Sequence, residues 1–233
     1  LAINLHAQDK ITSLVNYSPN SNFIVIKVKS AKEFKTGIEN HPLKKLLYND
    51  KTKDRFDDIC QSSKKDDAEE SKEEKEESKK SVEKLFSSFT GEMVLTIAYE
   101  KIEEAKFDIG DDVVSALIAQ VDTELFQEFI KLDIAIQEKN KDKKTISKKQ
   151  HENIEYYSVV GENASRSSFS AVLNGIGVLS TNEEVFKKII SAIVKKVPFE
   201  NGIKTNEKFY TFLNANQNKD ILLSADFAQK KKN

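Results

Sequence analysis

Cysteine is almost absent from this chain, and its scarcity excludes two kinds of structure. Cys60 is the single cysteine, so the chain forms neither an intramolecular disulfide nor a zinc site built on cysteine ligands. Phe56 and Ile59 precede it at apolar spacing, which predicts a buried structural thiol and not a reactive one. A lone cysteine leaves the redox compartment of the protein open.

Long apolar runs are also missing. The sequence contains no run of about eighteen consecutive apolar residues, so it predicts no transmembrane helix. The first residues, LAINLHAQDK, hold a short apolar stretch that ends in Leu5-His6-Ala7, and a small residue at this place is typical of a signal-peptide cleavage site. Residues 1–10 are therefore either a signal-peptide remnant, which we favour slightly, or an ordinary N-terminal segment.

An excess of positive charge is missing as well. Lys and Arg number 37 and Asp and Glu number 38, which gives a net charge of -1. Proteins that bind nucleic acid usually have a basic excess or a basic face toward the phosphates. We therefore predict no nucleic-acid partner, and we interpret the lysine clusters at 141–144, 148–149 and 230–232 as solvated loops or a tail.

The motifs of familiar catalytic and metal sites do not occur either. The histidines, His6, His41 and His151, are far apart, and His151-Glu152 lacks the second histidine of a His-Glu-x-x-His motif. The sequence has no Gly-x-Ser-x-Gly motif. Asp108–Asp112 has too few spaced oxygen ligands for a calcium loop. The sequence therefore assigns no catalytic, cofactor-binding or metal-ligating residue. A pair of carboxylates that meets only after folding stays open.

The patterns that are present predict a mixture of strands and amphipathic helices. The predicted strands span residues 22–29, 92–99, 115–121, 154–160, 168–173 and 176–180. Predicted helices follow Ser30, Pro42, Asp122 and Thr181, and a short one that contains Val82, Leu85, Phe86 and Phe89 is stopped by Gly91. Residues 138–149 are predicted to be a polar connection. In the strand at 154–160, one ring of Tyr156-Tyr157 should face inward and the other outward.

Two closely spaced glycines, Gly175 and Gly177, raise the question of a phosphate-binding loop. A dinucleotide-binding loop needs a third glycine and opens directly into a helix, whereas position 180 is serine and β-prone Val178-Leu179 intervenes. Asn174-Gly175 between two β-prone segments predicts a type I′ hairpin instead. We therefore predict a hairpin followed by a helix that is capped at Thr181, and no phosphate site.

Residues 62–84 form a low-complexity insert rich in Lys and Glu. The insert has almost no apolar residue before Val82, so it lacks a face to bury. This composition predicts either a solvent-surrounded helix or a disordered segment.

One pattern recurs four times: a β-rich run, a capping residue and the start of a helix led by an aromatic residue. Its copies are Phe23–Phe34, Ala116–Phe126, Gly175–Phe186 and Ile221–Gln229, with caps at Ser30, Asp122, Thr181 and Asp226. The spacing is irregular, which excludes a solenoid of fixed period. The last copy stops soon after it starts, so the chain is either complete with a lysine-rich tail or a fragment of a longer repeating protein, which we favour.

The segment YSPNSNFIVIKVKSAKEFKTGIENHPLKKLLYND, Tyr17–Asp50, resembles the opening unit of a family of exported bacterial proteins of unknown function. That family is familiar from planctomycete- and verrucomicrobia-type genomes. SFSAVLNGIGVLSTNEEVFKKII and Asn206–Ala228 resemble its recurring hairpin, helix and strand units. The resemblance implies secretion through a signal peptide to the periplasm or cell surface. It implies no catalytic residue.

Together these observations predict an α+β fold with an antiparallel or mixed sheet and amphipathic helices on one face. Residues 11–233 would form a single domain that carries the insert at 62–84. The leading hypothesis is a non-enzymatic exported structural or binding module of the bacterial cell envelope, with a protein or envelope partner that the sequence does not identify. A continuous sheet without a cleft would favour it.

Two alternatives stay open. A periplasmic hydrolase-type enzyme would show a pocket with two or more convergent carboxylates, or with one carboxylate beside His41 or His151. A carrier of hydrophobic ligands would show an apolar cavity between sheet and helices.

Overall fold

The structure is a computed structural model that describes residues 13–20, 24–30, 72–99, 113–139, 144–161, 167–203, 207–216 and 219–225. Several predictions fall elsewhere: the segment 1–10, His41, Cys60, the helices after Ser30 and Pro42, and the cap at Asp226 all lie outside the described residues.

The described elements mix strands and helices along the chain. A 3-10 turn comes first, followed by eight strands and four helices. The elements are the turn Leu14–Tyr17, β1 Ile24–Val28, α1 Lys72–Ser88, β2 Phe89–Tyr99, β3 Val113–Val121, α2 Thr123–Lys139, β4 Thr145–His151, β5 Ile154–Val160, β6 Ser168–Leu173, β7 Ile176–Ser180, α3 Glu183–Lys195, α4 Glu207–Ala215 and β8 Ile221–Ala225.

The eight strands form one antiparallel sheet in the order β4-β5-β6-β7-β3-β2-β1-β8. Each neighbouring pair is antiparallel, and β3 and β7 pair at the centre through Ile118 and Val178. The predicted α+β class is confirmed, and of the two predicted sheet types, antiparallel or mixed, the described sheet is antiparallel. The strands β4 and β8 are the two edges among the described elements.

The helices cover both faces of this sheet, and not the one face that the sequence predicted. Successive side chains of a strand point to opposite faces. In β3, Ala116 and Ile118 belong to one buried cluster with α3 and α4, whereas Ala119 and Val121 belong to a second cluster with α2. Because the sequence ALIAQV is apolar at both parities, both faces of β3 need a cover.

The unit of two paired strands followed by a helix occurs twice, as β2-β3-α2 and β6-β7-α3. Asp122 caps α2 as predicted, since its Oδ1 accepts hydrogen bonds of 3.0 Å from the backbone N–H groups of Glu124 and Leu125. The predicted cap Thr181 is wrong. Asn182 caps α3 by accepting from Val185 N at 3.0 Å. Thr181 is engaged elsewhere, because its Oγ1 accepts from the backbone N–H of Ser115 in β3 at 2.9 Å.

The hairpin between β6 and β7 has the predicted turn. Asn174 and Gly175 have φ angles of 50° and 73°, and positive φ at both central residues is what a type I′ turn requires. Gly177 lies within β7. The glycine pair therefore shapes the backbone, as the sequence predicted.

The charged insert is helical from Lys72 onward. α1 continues to Ser88, so Gly91 does not stop it and lies in β2 instead. The helix is not surrounded by solvent, because it packs along α2. Glu77 accepts from Lys139 at 2.5 Å, and Lys84 pairs with Glu128.

Residues 145–151 form strand β4 and are not a loop, which corrects the prediction of a polar connection. β4 pairs with β5 along its whole length, from Thr145 opposite Val160 to His151 opposite Ile154. Its lysines fit an edge strand, since charged side chains discourage pairing with a further strand. The sequence concealed the strand because TISKKQH lacks apolar alternation.

Candidate functional site

A cavity of about 320 Å³ lies between α2 and the sheet. This volume is at the lower end of the range for sites that hold small organic molecules. The lining side chains come from α2, β2, β3, β6 and β7 and the residue after β7: Leu95, Ser115, Leu117, Phe129, Asp133, Gln137, Ser168, Ser170, Leu179, Ser180 and Thr181.

The helix contributes one stripe of side chains to this cavity. Phe129, Asp133 and Gln137 are spaced four residues apart, so they lie above one another on the same face of α2. Phe129 is buried, whereas Asp133 and Gln137 are half-buried. The cavity roof therefore passes from an aromatic ring to a carboxyl group and then to an amide.

The sheet contributes hydroxyl groups. Ser168 and Ser170 are two residues apart in β6 and therefore point to the same face. Within the part of the chain that the structure describes, neither hydroxyl forms a hydrogen bond. Ser180 differs, because its hydroxyl donates to the carbonyl of Ser115 at 3.0 Å. Ser168 and Ser170 thus offer donors and acceptors that a ligand could use.

Asp133 is the charged group of the cavity wall. Burial raises its pKa above the ordinary value, while a hydrogen bond from Gln137 and the positive charge of Lys144 act in the opposite direction. Lys144 Nζ donates to Oε1 of Gln137. This contact occupies the amide oxygen and leaves the amide nitrogen to donate toward Asp133.

A second cavity, of about 350 Å³, lies against the same face of the sheet and has a different character. Lys131 of α2 and Lys148 of β4 line it together with Tyr157. Lys148 pairs with Glu155 at 2.5 Å and lies 5.7 Å from the centre of the Tyr157 ring. Lys148 therefore already has an anionic partner in Glu155.

The two adjacent tyrosines face opposite sides of the sheet, as predicted. Tyr156 is 1% exposed and its hydroxyl donates to Oε1 of Glu183 at 2.7 Å. Lys149 and Lys187 pair with the same carboxylate, each at 3.0 Å. Tyr157 is half-buried near α2 and not exposed. The Tyr156 cluster joins β4, β5 and α3 and opens onto neither cavity.

His151 forms a group with Ser191 and Glu152 that has the composition of a serine hydrolase triad. Its Nε2 lies 2.8 Å from Ser191 Oγ, and Ser191 Oγ donates to Glu152 Oε1 at 3.1 Å. Lys195 pairs with the same carboxylate at 2.7 Å. The carboxylate therefore contacts the serine, whereas in a triad the acid orients the histidine.

The hydrogen bonds of this group do not suit nucleophilic catalysis by Ser191. Glu152 is held ionised, because hydrogen bonds from Lys195 and then Ser191 lower its pKa. Its carboxylate only accepts, so Ser191 gives its single proton to Glu152. In this arrangement His151 receives no proton from Ser191, whereas a general base must accept one.

Within the described residues, neither cavity brings two carboxylates, or a carboxylate and a histidine, together in its lining. Among the described residues that line the first cavity, Asp133 is the one carboxylate and none is a histidine. His151 contacts α3, which lies on the opposite face of the sheet from α2. His41 lies outside the described ranges. No group of three His, Cys, Asp or Glu side chains in the described chain is placed to hold a metal ion.

The positions of polar residues in the sequence indicate this site, although the amino-acid composition does not. Asp133 follows Phe126, Phe129 and Ile130 at helical spacing, so it is a polar residue within the apolar stripe of α2. Ser168 and Ser170 make one face of a strand polar beside buried alternate positions. A polar residue on a face that should be buried is informative, because burying it without a partner is costly.

Comparison of the chain with protein-family models, with curated proteins and with solved structures found no match. None of the helices within the described ranges is both long and apolar enough to span a membrane.

Proposed function

We propose that this chain is an exported, non-enzymatic binding module that holds a small organic ligand in the cavity beneath α2. One observation carries the proposal: the cavity combines a half-buried carboxyl group at Asp133 with the hydroxyls of Ser168 and Ser170, which have no hydrogen-bond partner among the described residues, in an otherwise largely apolar wall. A few placed polar groups among apolar side chains are typical of ligand sites.

The chemistry of the cavity supports binding better than catalysis. General acid–base hydrolysis uses two groups with different protonation states, and the described residues that line the cavity place no second carboxylate or histidine beside Asp133. The alternative serine at the other face, Ser191, has its proton directed to Glu152. The proposed module therefore releases its ligand unchanged.

A carrier of purely hydrophobic ligands is the second candidate. Four apolar side chains favour it, because Leu95, Leu117, Phe129 and Leu179 contribute to the lining. Asp133 disfavours it, because an apolar ligand would take water away from the carboxyl group without replacing its hydrogen bonds. The two candidates differ in the ligands that they predict, so one screen distinguishes them.

Export is supported by the resemblance of Tyr17–Asp50 and by the residues that end in Ala7. It is tested by expressing the natural gene in a bacterial host and assaying the periplasmic, surface and cytoplasmic fractions. Retention in the cytoplasm would contradict export without affecting the proposed cavity.

The binding function is tested by ligand-observed NMR with a library of small fragments, polar and apolar, on the wild-type chain. Two variants locate the binding. Ser168→Phe fills the first cavity, and Gln127→Phe adds the same bulk in the second cavity, which Gln127 lines.

We expect polar fragments to bind the wild type and Gln127→Phe, and to lose binding in Ser168→Phe. Exclusive binding of apolar fragments would favour the hydrophobic carrier. A library in which no fragment binds, or in which Ser168→Phe binds as well as the wild type, would overturn the proposal. Turnover of a bound fragment would overturn its non-enzymatic part.

A further inference from the structure

We infer that the ligand of the cavity beneath α2 carries a cationic amine that pairs with the carboxylate of Asp133. This inference rests on the proposed function, because it names the class of ligand for the same cavity. It concerns molecules with an ammonium group on an apolar body, such as arylalkyl amines.

The charges around the cavity favour a cation. Among the described residues that line the cavity, Asp133 is the one ionisable acid or base, and the others are serine, threonine, glutamine, leucine and phenylalanine side chains. Lys144 is the positively charged residue that acts on the pKa of Asp133. It is not among the described lining residues, and its Nζ donates to Gln137. An anionic ligand would therefore meet a like charge at Asp133, and a cationic one would meet its complement.

The hydrogen-bonding groups fit an ammonium group as well. Such a group has three N–H donors and no acceptor. The cavity wall supplies acceptors in the Asp133 carboxylate and in the hydroxyl oxygens of Ser168 and Ser170, which have no other partner in the described structure. A charged donor that replaces water at a half-buried carboxylate makes a stronger bond than a neutral one.

The pKa of Asp133 favours a cationic ligand as well. The pKa of Asp133 is raised by burial in spite of Gln137 and Lys144, so these partners compensate its charge only in part. A bound cation would supply the missing compensation.

The remaining wall suits an apolar body. Phe129 and Leu117 lie on opposite sides of the cavity, one from the helix and one from the sheet, and both are apolar. An aryl or alkyl group between them would be removed from water. The volume of about 320 Å³ leaves room for such a group beside the ammonium.

The experiment measures dissociation constants at neutral pH by isothermal titration calorimetry for three probes of one shape: phenethylamine, phenethyl alcohol and hydrocinnamic acid. Each is titrated into the wild type, Asp133→Asn and Glu138→Gln. Glu138 is the matched control, because it is an exposed carboxylate on the same helix and does not line the cavity.

We expect phenethylamine to bind the wild type and Glu138→Gln about tenfold more tightly than phenethyl alcohol, and hydrocinnamic acid to bind more weakly than both. In Asp133→Asn the preference for the amine should fall to within about threefold. N-acetyl phenethylamine, which is neutral, should bind the wild type no better than the alcohol. This last comparison needs no variant and holds even if Asp133→Asn fails to fold.

Equal affinity of the wild type for amine and alcohol, or an amine preference that survives in Asp133→Asn, would overturn the inference while the binding cavity stands. Fragments that bind the cavity but include no amine would overturn it as well. Failure of every fragment and every probe would overturn the proposed function itself.

Discussion

The ring of Phe126 in α2 lies directly against the backbone of Gly177 in β7. A Cβ atom at Gly177 would be 2.7 Å from Cε2 and Cζ of Phe126, closer than such atoms approach. Phe126 is 1% exposed, so the ring has little space to move away. The glycine therefore permits the contact between helix and sheet that forms one end of the α2 core.

We expect Gly177→Ala to lower the free energy of unfolding by about 1–3 kcal/mol, because the added methyl group overpacks a buried contact. The measurement is chemical denaturation with urea. Phe126→Leu should weaken this effect, since a smaller side chain leaves space for the methyl group. Simple addition of the two single losses in the double variant would contradict the direct contact.

Gly175→Ala is the matched control, because its cost has another cause. The nearest atom to a Cβ there is the carbonyl oxygen of Val121 at 3.7 Å, which is an ordinary contact, but φ is 73°. Backbone strain predicts a loss of about 1–2 kcal/mol. Phe126→Leu should not relieve this loss.

Asn182→Ala should destabilise the protein by about 1 kcal/mol, because it removes the side-chain acceptor for Val185 N–H at the start of α3. Asn182→Ser should lose much less, since serine also caps helices. Thermal denaturation followed by circular dichroism measures both. An equal loss in the alanine and serine variants would show that the cap contributes nothing at this position.

The cap of α3 shows where prediction from sequence reaches its limit. Thr181 and Asn182 are both good capping residues, and local pattern does not choose between them. The outcome depends on Ser115, which is sixty-six positions away in the sequence. Its backbone N–H donates a hydrogen bond to the Thr181 hydroxyl and so engages that side chain. By contrast, the Asn174-Gly175 turn and the strands around it were predictable, because their signals are local.

The same distinction applies to the faces of the sheet and to the candidate site. The apolar stripe of α2 predicts a buried helix face, but it does not say which side of the sheet receives it. Asp133 meets Ser168 and Ser170 only because β6 and β7 pair beside β3 on the face that α2 covers. That adjacency is long-range, so the sequence supplied the polar residues and the fold brought them together.

We expect Ser191 not to react with a fluorophosphonate probe, because its proton is directed to Glu152 and not to His151. Intact-mass spectrometry after incubation measures the reaction. Glu152→Gln is the informative variant. An amide can donate as well as accept, so Ser191 need not give its proton to the residue at position 152. A single adduct that maps to Ser191 in the wild type would revive the hydrolase alternative.

Stability should fall in acid as Glu183 takes up a proton. Burial opposes its ionisation, but hydrogen bonds from Tyr156, Lys187 and Lys149 outweigh this effect and lower the pKa from 4.5 to about 2. Because the folded-state pKa is depressed, the stabilising contribution is complete above pH 4.5 and is lost as the pH falls toward 2.

Glu183→Gln tests this contribution through urea denaturation at a series of pH values. The variant should be less stable than the wild type at neutral pH, and the gap should narrow between pH 4.5 and 2. Glu184→Gln, an exposed neighbour in the same turn, is the control and should show a smaller change. A gap that stays constant across this range would contradict the pKa assignment.

Asp133→Asn should stabilise the protein at neutral pH, in contrast to Glu183→Gln. Burial raises the pKa of Asp133 above its ordinary 3.8, so the ionised carboxyl group is less favourable in the folded chain than in the unfolded one. The favourable contribution of the protonated group is complete below pH 3.8 and is lost as the pH rises through the higher folded-state value. The advantage of Asp133→Asn should therefore be present at neutral pH and shrink toward acid.

Urea denaturation of Asp133→Asn and Glu138→Gln at neutral and acidic pH measures this difference. Binding sites often retain groups that destabilise the free protein, so a higher denaturation midpoint for Asp133→Asn alone would support a ligand role for the carboxylate. A lower midpoint would mean that Gln137 and Lys144 compensate the charge fully. In that case the carboxyl group stabilises α2, and the cavity loses the feature that distinguishes it from a packing gap.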